Sequence, residues 1–250
     1  GQRLPHSSAT RLSMRLPWIL GNRAMKYCAI ATDYDGTLAT DGVVDASTVA
    51  ALKRYQAAGG KLVMDTGREL TDLQRAFPEL DLFDGVVVEN GAVFYHPASG
   101  DLQLLGDPFP EDFVATLKAK QVSPINPGHR IVSTWHPHGS VVQQTIEEMS
   151  LQARIIMNKK AVMVLPAGVT KATGLAVALE KLGIAADTVA GIGDAENDLD
   201  LLKACGLGVA VANALPVVTE TADWVMTQPR GAGVVELIDR LLAQNLSAKS

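Results

Sequence analysis

Ala29-Ile30-Ala31-Thr32-Asp33-Tyr34-Asp35-Gly36-Thr37-Leu38 is a short apolar run that closes on two carboxylates and a glycine. The apolar part suits a buried strand. In an extended backbone residues i and i+2 point to one side, although the strand is ending here and the pair need not stay parallel. Gly36 allows a sharp turn just beyond. Asp33 and Asp35 then sit at the carboxyl end of a strand, where open α/β sheets bind ligands. Three chemistries fit such a pair: oxygen ligation of a hard cation such as Mg²⁺, a nucleophile beside a general acid/base, or simply an acidic turn that ends a strand.

Working outward, strand and helix alternate. Residues 27–32 read as the first strand and 40–44 as a short polar flap. Asp45 and Ser47 are candidate N-caps for a helix that spaces Val49, Leu52 and Tyr55 along one face and stops at Gly59-Gly60. Residues 61–64 and 85–88 read as strands, with a helix over 69–76 between them. After the middle of the chain, Thr170 caps a helix carrying Lys171 in its first turn and running to about Leu182. Strands follow at 188–192, 207–211 and 224–226. Helices are expected at 199–204, at 216–221 with Pro216 in the first turn, and at 233–244. Strands separated by helices predict a parallel sheet with crossover helices. The middle, 95–162, has another rhythm. Helices over 110–121 and 140–151, a strand over 130–135 and a hairpin of 153–157 with 161–165 make an α-β-α-β-β insert.

Three more stretches carry polar chemistry in order: Met64-Asp65-Thr66-Gly67-Arg68, the isolated Lys171, and Gly193-Asp194-Ala195-Glu196-Asn197-Asp198. With Asp33-Tyr34-Asp35-Gly36-Thr37-Leu38 they resemble the four ordered motifs of the haloacid dehalogenase (HAD) superfamily of phosphohydrolases. The resemblance extends from about Met25 to Leu242. It implies an α/β fold with a Rossmann-like, parallel-sheet core formed by residues 25–94 and 163–250. Residues 95–162 would be a small α/β cap of the C2B type found in Cof-like, subfamily IIB sugar phosphatases, at the short end and similar in scale to archaeal phosphoglycolate phosphatases.

The resemblance also implies roles. Asp33 is the nucleophile that forms an aspartyl-phosphate, and Asp35 the general acid/base. Thr66, Gly67, Lys171 and Asn197 contact phosphate, and Lys171 holds Asp33 ionised. Mg²⁺ is held by Asp33, the main-chain carbonyl of Asp35, Asp194 and Asp198. In the insert, Arg130, His136 and His138 are candidates for facing the substrate, with Trp135, Lys159 and Lys160 beside them. Arg68 is open to two readings, substrate contact or pairing with an acid. The implied activity is Mg²⁺-dependent hydrolysis of a small phosphorylated metabolite. Alternatives are a phosphomutase of the same superfamily, phosphomannomutase-like, or a non-catalytic module that binds a phosphometabolite.

Composition narrows the field. At 250 residues and 47% hydrophobic, the chain can bury a large core. A net charge of −5 does not suit bulk nucleic-acid binding. The two cysteines, Cys28 and Cys205, lack metal-type spacing and fit a reducing compartment. No apolar run approaches the roughly 18–20 residues of a membrane span, so a cytoplasmic protein without a membrane partner is expected. Gly191-Ile192-Gly193 opens like a dinucleotide fingerprint, but Glu196 stands at the third glycine position. Residues 1–24 carry Arg3, Arg11, Arg15 and Arg23 and no acid. They permit a transit peptide or a basic arm. The reading adopted is a disordered or non-native extension upstream of a natural start at Met25.

Overall fold

The computed structural model describes residues 25–158 and 160–247; the N-terminal stretch 1–24 and Lys159 lie outside them. In chain order the elements are β1 (Ala29–Thr32), α1 (Ala46–Ala57), β2 (Lys61–Asp65), α2 (Leu70–Ala76), β3 (Gly85–Val88), β4 (Val93–His96), β5 (Asp101–Leu104), α3 (Glu111–Ala119), β6 (Asn126–Pro127), β7 (Val132–Trp135), α4 (Gly139–Glu148), β8 (Ala153–Asn158) and β9 (Ala161–Pro166). They continue with α5 (Lys171–Leu182), β10 (Val189–Gly193), α6 (Leu199–Ala204), β11 (Leu207–Ala210), α7 (Pro216–Thr221), β12 (Trp224–Val225) and α8 (Arg230–Ser247).

The main sheet has the order β12-β11-β10-β1-β2-β3-β4-β5, and β6-β7-β9-β8 form a second. From β12 to β3 every pairing is parallel. The chain steps outward from β1 through β2 to β3, then returns on the other side of β1 as β10. That reversal opens a crevice at the carboxyl ends of β1 and β10, the usual ligand position in an open α/β sheet.

Alternation along β1 supplies two cores. Ile30 joins Leu62 and Met64 against α1 residues Leu52 and Tyr55 and α8 residues Leu237 and Ile238. Ala29 and Ala31 join Val63 and Val87 on the opposite face, under Leu175 and Leu179 of α5. Each fully buried Leu or Ile contributes about 1.5–3 kcal/mol on leaving water. Asp45 caps α1 by accepting the Thr48 N–H at 2.7 Å. Thr170 caps α5 in a reciprocal box with Thr173, which fixes the helix turn that carries Lys171.

The insert differs from its expected outline at one end. β4 pairs antiparallel with β3 and β5 antiparallel with β4, so residues 95–104 extend the main sheet and do not join the second. The second sheet packs on α3 and α4 through Phe113, Leu117, Val132, Val142, Ile146, Val162 and Val164. α8 starts three residues before the expected position, and β6 is an added two-residue strand. Among the described residues no helix is long and apolar enough to cross a membrane.

Candidate active site

β1 delivers Asp33 to the crevice with its side chain nearly enclosed, 6% exposed. The backbone turns at once. Gly36 has φ +81°, and a Cβ there would stand 2.4 Å from Asp194 Oδ2. Only glycine lets the loop after β1 approach the loop after β10 this closely. Thr37 Oγ1 donates to Asp194 Oδ1 at 2.9 Å and pins the two loops together.

Lys171, at the first turn of α5, is 2% exposed. Its Nζ donates to Asp33 Oδ1 at 2.6 Å and Asp198 Oδ1 at 2.7 Å. Asp198 is steadied from its other oxygen, which accepts the N–H groups of Asp194 at 2.9 Å and Ala195 at 3.0 Å. One carboxylate oxygen from each of Asp33, Asp194 and Asp198 lies within 4.8 Å of the others. An all-oxygen, anionic donor set of this kind fits a hard divalent cation.

Electrostatics point the same way. Burial raises the Asp33 carboxyl well above its ordinary value, and Asp198 adds to the rise against the pull of Lys171. Asp194 is raised by burial and then by Asp198. Burial alone would lower Lys171, but Asp198, Asp33 and Asp65 outweigh it and hold the ammonium above its usual range. Buried carboxylates outnumber the single buried cation around Lys171, and a bound divalent cation would redress the balance.

Asp35 is held differently. Arg68 grips it bidentately, Nε to Oδ2 at 2.7 Å and Nη2 to Oδ1 at 2.9 Å. The same guanidinium reaches Asp72 at 2.8 Å and lies 5.1 Å from the centre of the Tyr34 ring. Of the two readings open for Arg68, the geometry shows pairing with an acid. Thr66 Oγ1 accepts the Arg68 N–H at 3.1 Å. Asn197 donates to Asn90 Oδ1 at 3.0 Å.

Asp33, Asp35, Thr66, Gly67, Asp194 and Asn197 all line one cavity of about 940 Å³. Its opposite wall comes from the second sheet: Asn126, Ile131, Ser133, Thr134, Trp135 and Asn158. Arg130, His136 and His138 are not among its lining residues. Arg130 turns its Nε to the Gly106 carbonyl at 3.0 Å. His138 places Nε2 3.1 Å from the Ser123 carbonyl. His136 lies beyond the end of β7, with its backbone N–H on the Lys160 carbonyl at 2.8 Å. Arg75 and Arg230 line the cavity from the core side without having been singled out in sequence; nothing in their local sequence marks them.

Asp65, to which the sequence reading assigns no role, also stands out. It is fully buried at the end of β2, and neither carboxylate oxygen has a hydrogen-bond partner. Burial raises its carboxyl well above the ordinary value, Lys171 opposes the rise, and Asp198 and Asp33 add to it. A raised carboxyl favours the fold below the unfolded value near 4, and that advantage is lost as pH rises toward the folded value. Asp65→Asn removes the group that titrates. The variant is therefore expected to match the parent at pH 4 and to gain on it by about 1.4 kcal/mol per pH unit above that, until the folded Asp65 itself ionises. Urea denaturation at several pH values checks this; a gap that does not grow with pH refutes it.

Comparison with known proteins agrees with this geometry. The profile of the haloacid dehalogenase-like hydrolases matches residues 30–123 and 136–238. A phosphoglycolate phosphatase of Methanothermobacter thermautotrophicus is 30% identical over 223 residues, covering 86% of this chain and 98% of that protein. One from Archaeoglobus fulgidus is 31% identical over 222 residues, covering 85% and 96%. Among solved structures, a haloacid dehalogenase-like hydrolase from Bacteroides thetaiotaomicron superposes with TM-score 0.73 at 21% identity, covering 86% of this chain and 99% of that one. A HAD subclass IIB sugar phosphatase gives TM-score 0.69 at 20% identity, covering 85% and 98%. The chain belongs to the haloacid dehalogenase-like hydrolases.

Proposed function

We propose that this haloacid dehalogenase-like hydrolase is a Mg²⁺-dependent phosphatase for a small phosphorylated metabolite of the phosphoglycolate or sugar-phosphate class. The observation that carries the reading is the nearly enclosed Asp33 carboxylate. It is held 2.6 Å from Lys171 within an acidic, oxygen-only cluster on the floor of a cavity. The relatives named as phosphoglycolate phosphatases support the substrate class.

In the first step an Asp33 carboxylate oxygen bonds to phosphorus while the bond to the ester oxygen breaks, and Asp35 supplies the proton to that leaving oxygen. In the second, Asp35 takes a proton from water, whose oxygen attacks the aspartyl-phosphate; phosphate leaves and Asp33 is regenerated. Lys171 neutralises and orients Asp33 throughout. Thr66 and the Gly67 N–H serve as phosphate donors. Asn197, tied to Asn90, bounds the site beside them. Asp33, Asp194, Asp198 and the Asp35 carbonyl would hold Mg²⁺, which lowers the repulsion between carboxylate and phosphate. The Arg68 clamp fixes the orientation of the Asp35 carboxyl beside Asp33. The part of the insert built on the second sheet with α3 and α4 is assigned as a cap that closes the cleft to water. Two unpaired cysteines, Cys28 and Cys205, suit a cytoplasmic setting.

The test is phosphate release from a panel of phosphorylated metabolites with and without Mg²⁺. Release that requires Mg²⁺ and ranks a small phosphorylated acid or sugar first is expected. Phosphate moved between positions of a sugar with none released would mark a mutase, and no turnover with metal bound would mark a binding module.

A further inference from the structure

Beyond the catalytic groups, one turn joins the core side of the cleft to the insert. It follows β3 and contains Glu89, Asn90 and Gly91. Glu89 is 0% exposed. Its carboxylate accepts the backbone N–H groups of His129 at 2.8 Å, Arg130 at 2.8 Å and Ile131 at 3.1 Å, and faces His129 Nδ1 at 3.2 Å. Every one of these partners belongs to the insert, about forty residues further along the chain. The turn is also strained: Glu89 and Asn90 both adopt φ +53°, a conformation that non-glycine residues keep only where the surroundings enforce it.

The backbone of the turn is fastened to the core. Glu89 N–H donates to the Arg68 carbonyl at 2.9 Å and Asn90 N–H to the Thr66 carbonyl at 3.0 Å. Gly91 packs on the cap of α5, where a Cβ would fall 1.8 Å from the Thr170 carbonyl oxygen. One end of Glu89 is thus fixed to the phosphate-binding turn and the helix that carries Lys171. Its carboxylate holds loop 128–131, and the residues that follow, Ile131, Ser133 and Trp135, form the far wall of the cavity.

We propose that Glu89 is a positioning residue: its carboxylate docks loop 128–131 on the core and sets the register of the cleft wall that selects the leaving group. This rests on the hydrolase reading of the cleft. A carboxylate is suited to the task because its two oxygens accept several converging N–H groups, as an anion does in a backbone nest. An amide in its place offers one acceptor oxygen and turns a donor toward the remaining N–H groups.

The experiment uses the full chain with Mg²⁺ and two esters, 2-phosphoglycolate and p-nitrophenyl phosphate, whose activated leaving group needs little help from the wall. For Glu89→Gln the KM for 2-phosphoglycolate is expected to rise about tenfold or more. The kcat for p-nitrophenyl phosphate should stay within about threefold, and amide exchange at 128–131 should quicken. A second variant reaches the contact from the other side. A Cβ on Gly128 would stand 2.6 Å from Glu89 Oε1, and Gly128 does not adopt a positive φ, so Gly128→Ala displaces the carboxylate without removing it. It should reproduce the same split. Lower thermal stability with unchanged KM and unchanged exchange would make Glu89 a purely structural tie and overturn the proposal, as would equal losses on both esters. Should the parent hydrolyse neither ester, the hydrolase reading fails, and exchange at 128–131 still decides whether Glu89 docks the loop.

Discussion

Phosphate release by an Asp33→Asn variant is expected to fall by about 10⁴-fold or more, the scale at which loss of a nucleophile removes a whole reaction route. The same substitution should raise the thermal stability of the metal-free protein. Asp33 is nearly enclosed and its carboxyl is raised by burial and by Asp198. A raised acid favours the fold below the unfolded value and loses that advantage as pH climbs through the folded value. At neutral pH the parent therefore bears a cost that the neutral amide does not, while the amide oxygen can still accept from Lys171. Mg²⁺ should stabilise the variant less than the parent, because one anionic ligand of three is gone. Activity lost, metal-free stability gained and metal linkage weakened form one signature of a site held in electrostatic tension for its chemistry. Turnover, melting with and without Mg²⁺, and calorimetric Mg²⁺ titration measure the three. A variant that keeps a tenth of its turnover would place the nucleophile elsewhere.

The catalytic floor was legible because its residues stand at strand ends, where a turn of polarity interrupts an apolar run. Asp33, Asp35 and Asp194 each follow such a run, and Thr170 before Lys171 is an ordinary cap signal. What was missed has physical reasons. Glu89 is satisfied by backbone N–H groups, and backbone donors leave no side-chain pattern to read. The Asp65 carboxylate has no hydrogen-bond partner, so no complementary residue nearby in sequence points to it. The β4–β5 hairpin alternates weakly: all four residues of β5 are exposed, and a solvated edge strand carries little hydrophobic period. The early start of α8 was hidden by Gly231, a poor helix former; Gly231 and Gly233 both sit where packing is close. A Cβ at Gly231 would meet Thr48 Oγ1 at 2.4 Å, and one at Gly233 the Gln228 carbonyl at 2.5 Å. In the insert, Trp135, one of the candidates, lines the cavity, whereas Arg130 and His138 spend their donors on nearby carbonyls. The rest of that wall is built from neutral side chains.

Replacing Lys171 by Met should be as damaging to turnover as any single change outside the nucleophile, about 10³-fold, and its effect on stability should have the opposite sign to that of Asp33→Asn. Met fills much of the same volume but leaves Asp33 and Asp198 buried without their shared cation. Breaking a buried ion pair from one side costs about 3–5 kcal/mol. The pH dependence separates this from a packing defect. Without the ammonium, the folded carboxyl of Asp33 moves further up from its already raised position, while the unfolded one still titrates near 4. Below the parent's folded Asp33 value, parent and variant lose stability together as pH rises, and the electrostatic gap between them should be small. Above it the parent's Asp33 has ionised while the variant's resists, so the gap should widen there. Mg²⁺ supplies positive charge to the same carboxylates and should narrow it. Lys171→Arg keeps the charge but cannot fit its larger head into a site that is 2% exposed, so it should not restore turnover. Melting curves at pH 4, 5.5 and 7, each with and without Mg²⁺, decide the matter. A gap that is constant across pH and blind to Mg²⁺ would mean that Lys171 matters for its volume alone, and the catalytic reading of its two short contacts would fall with it.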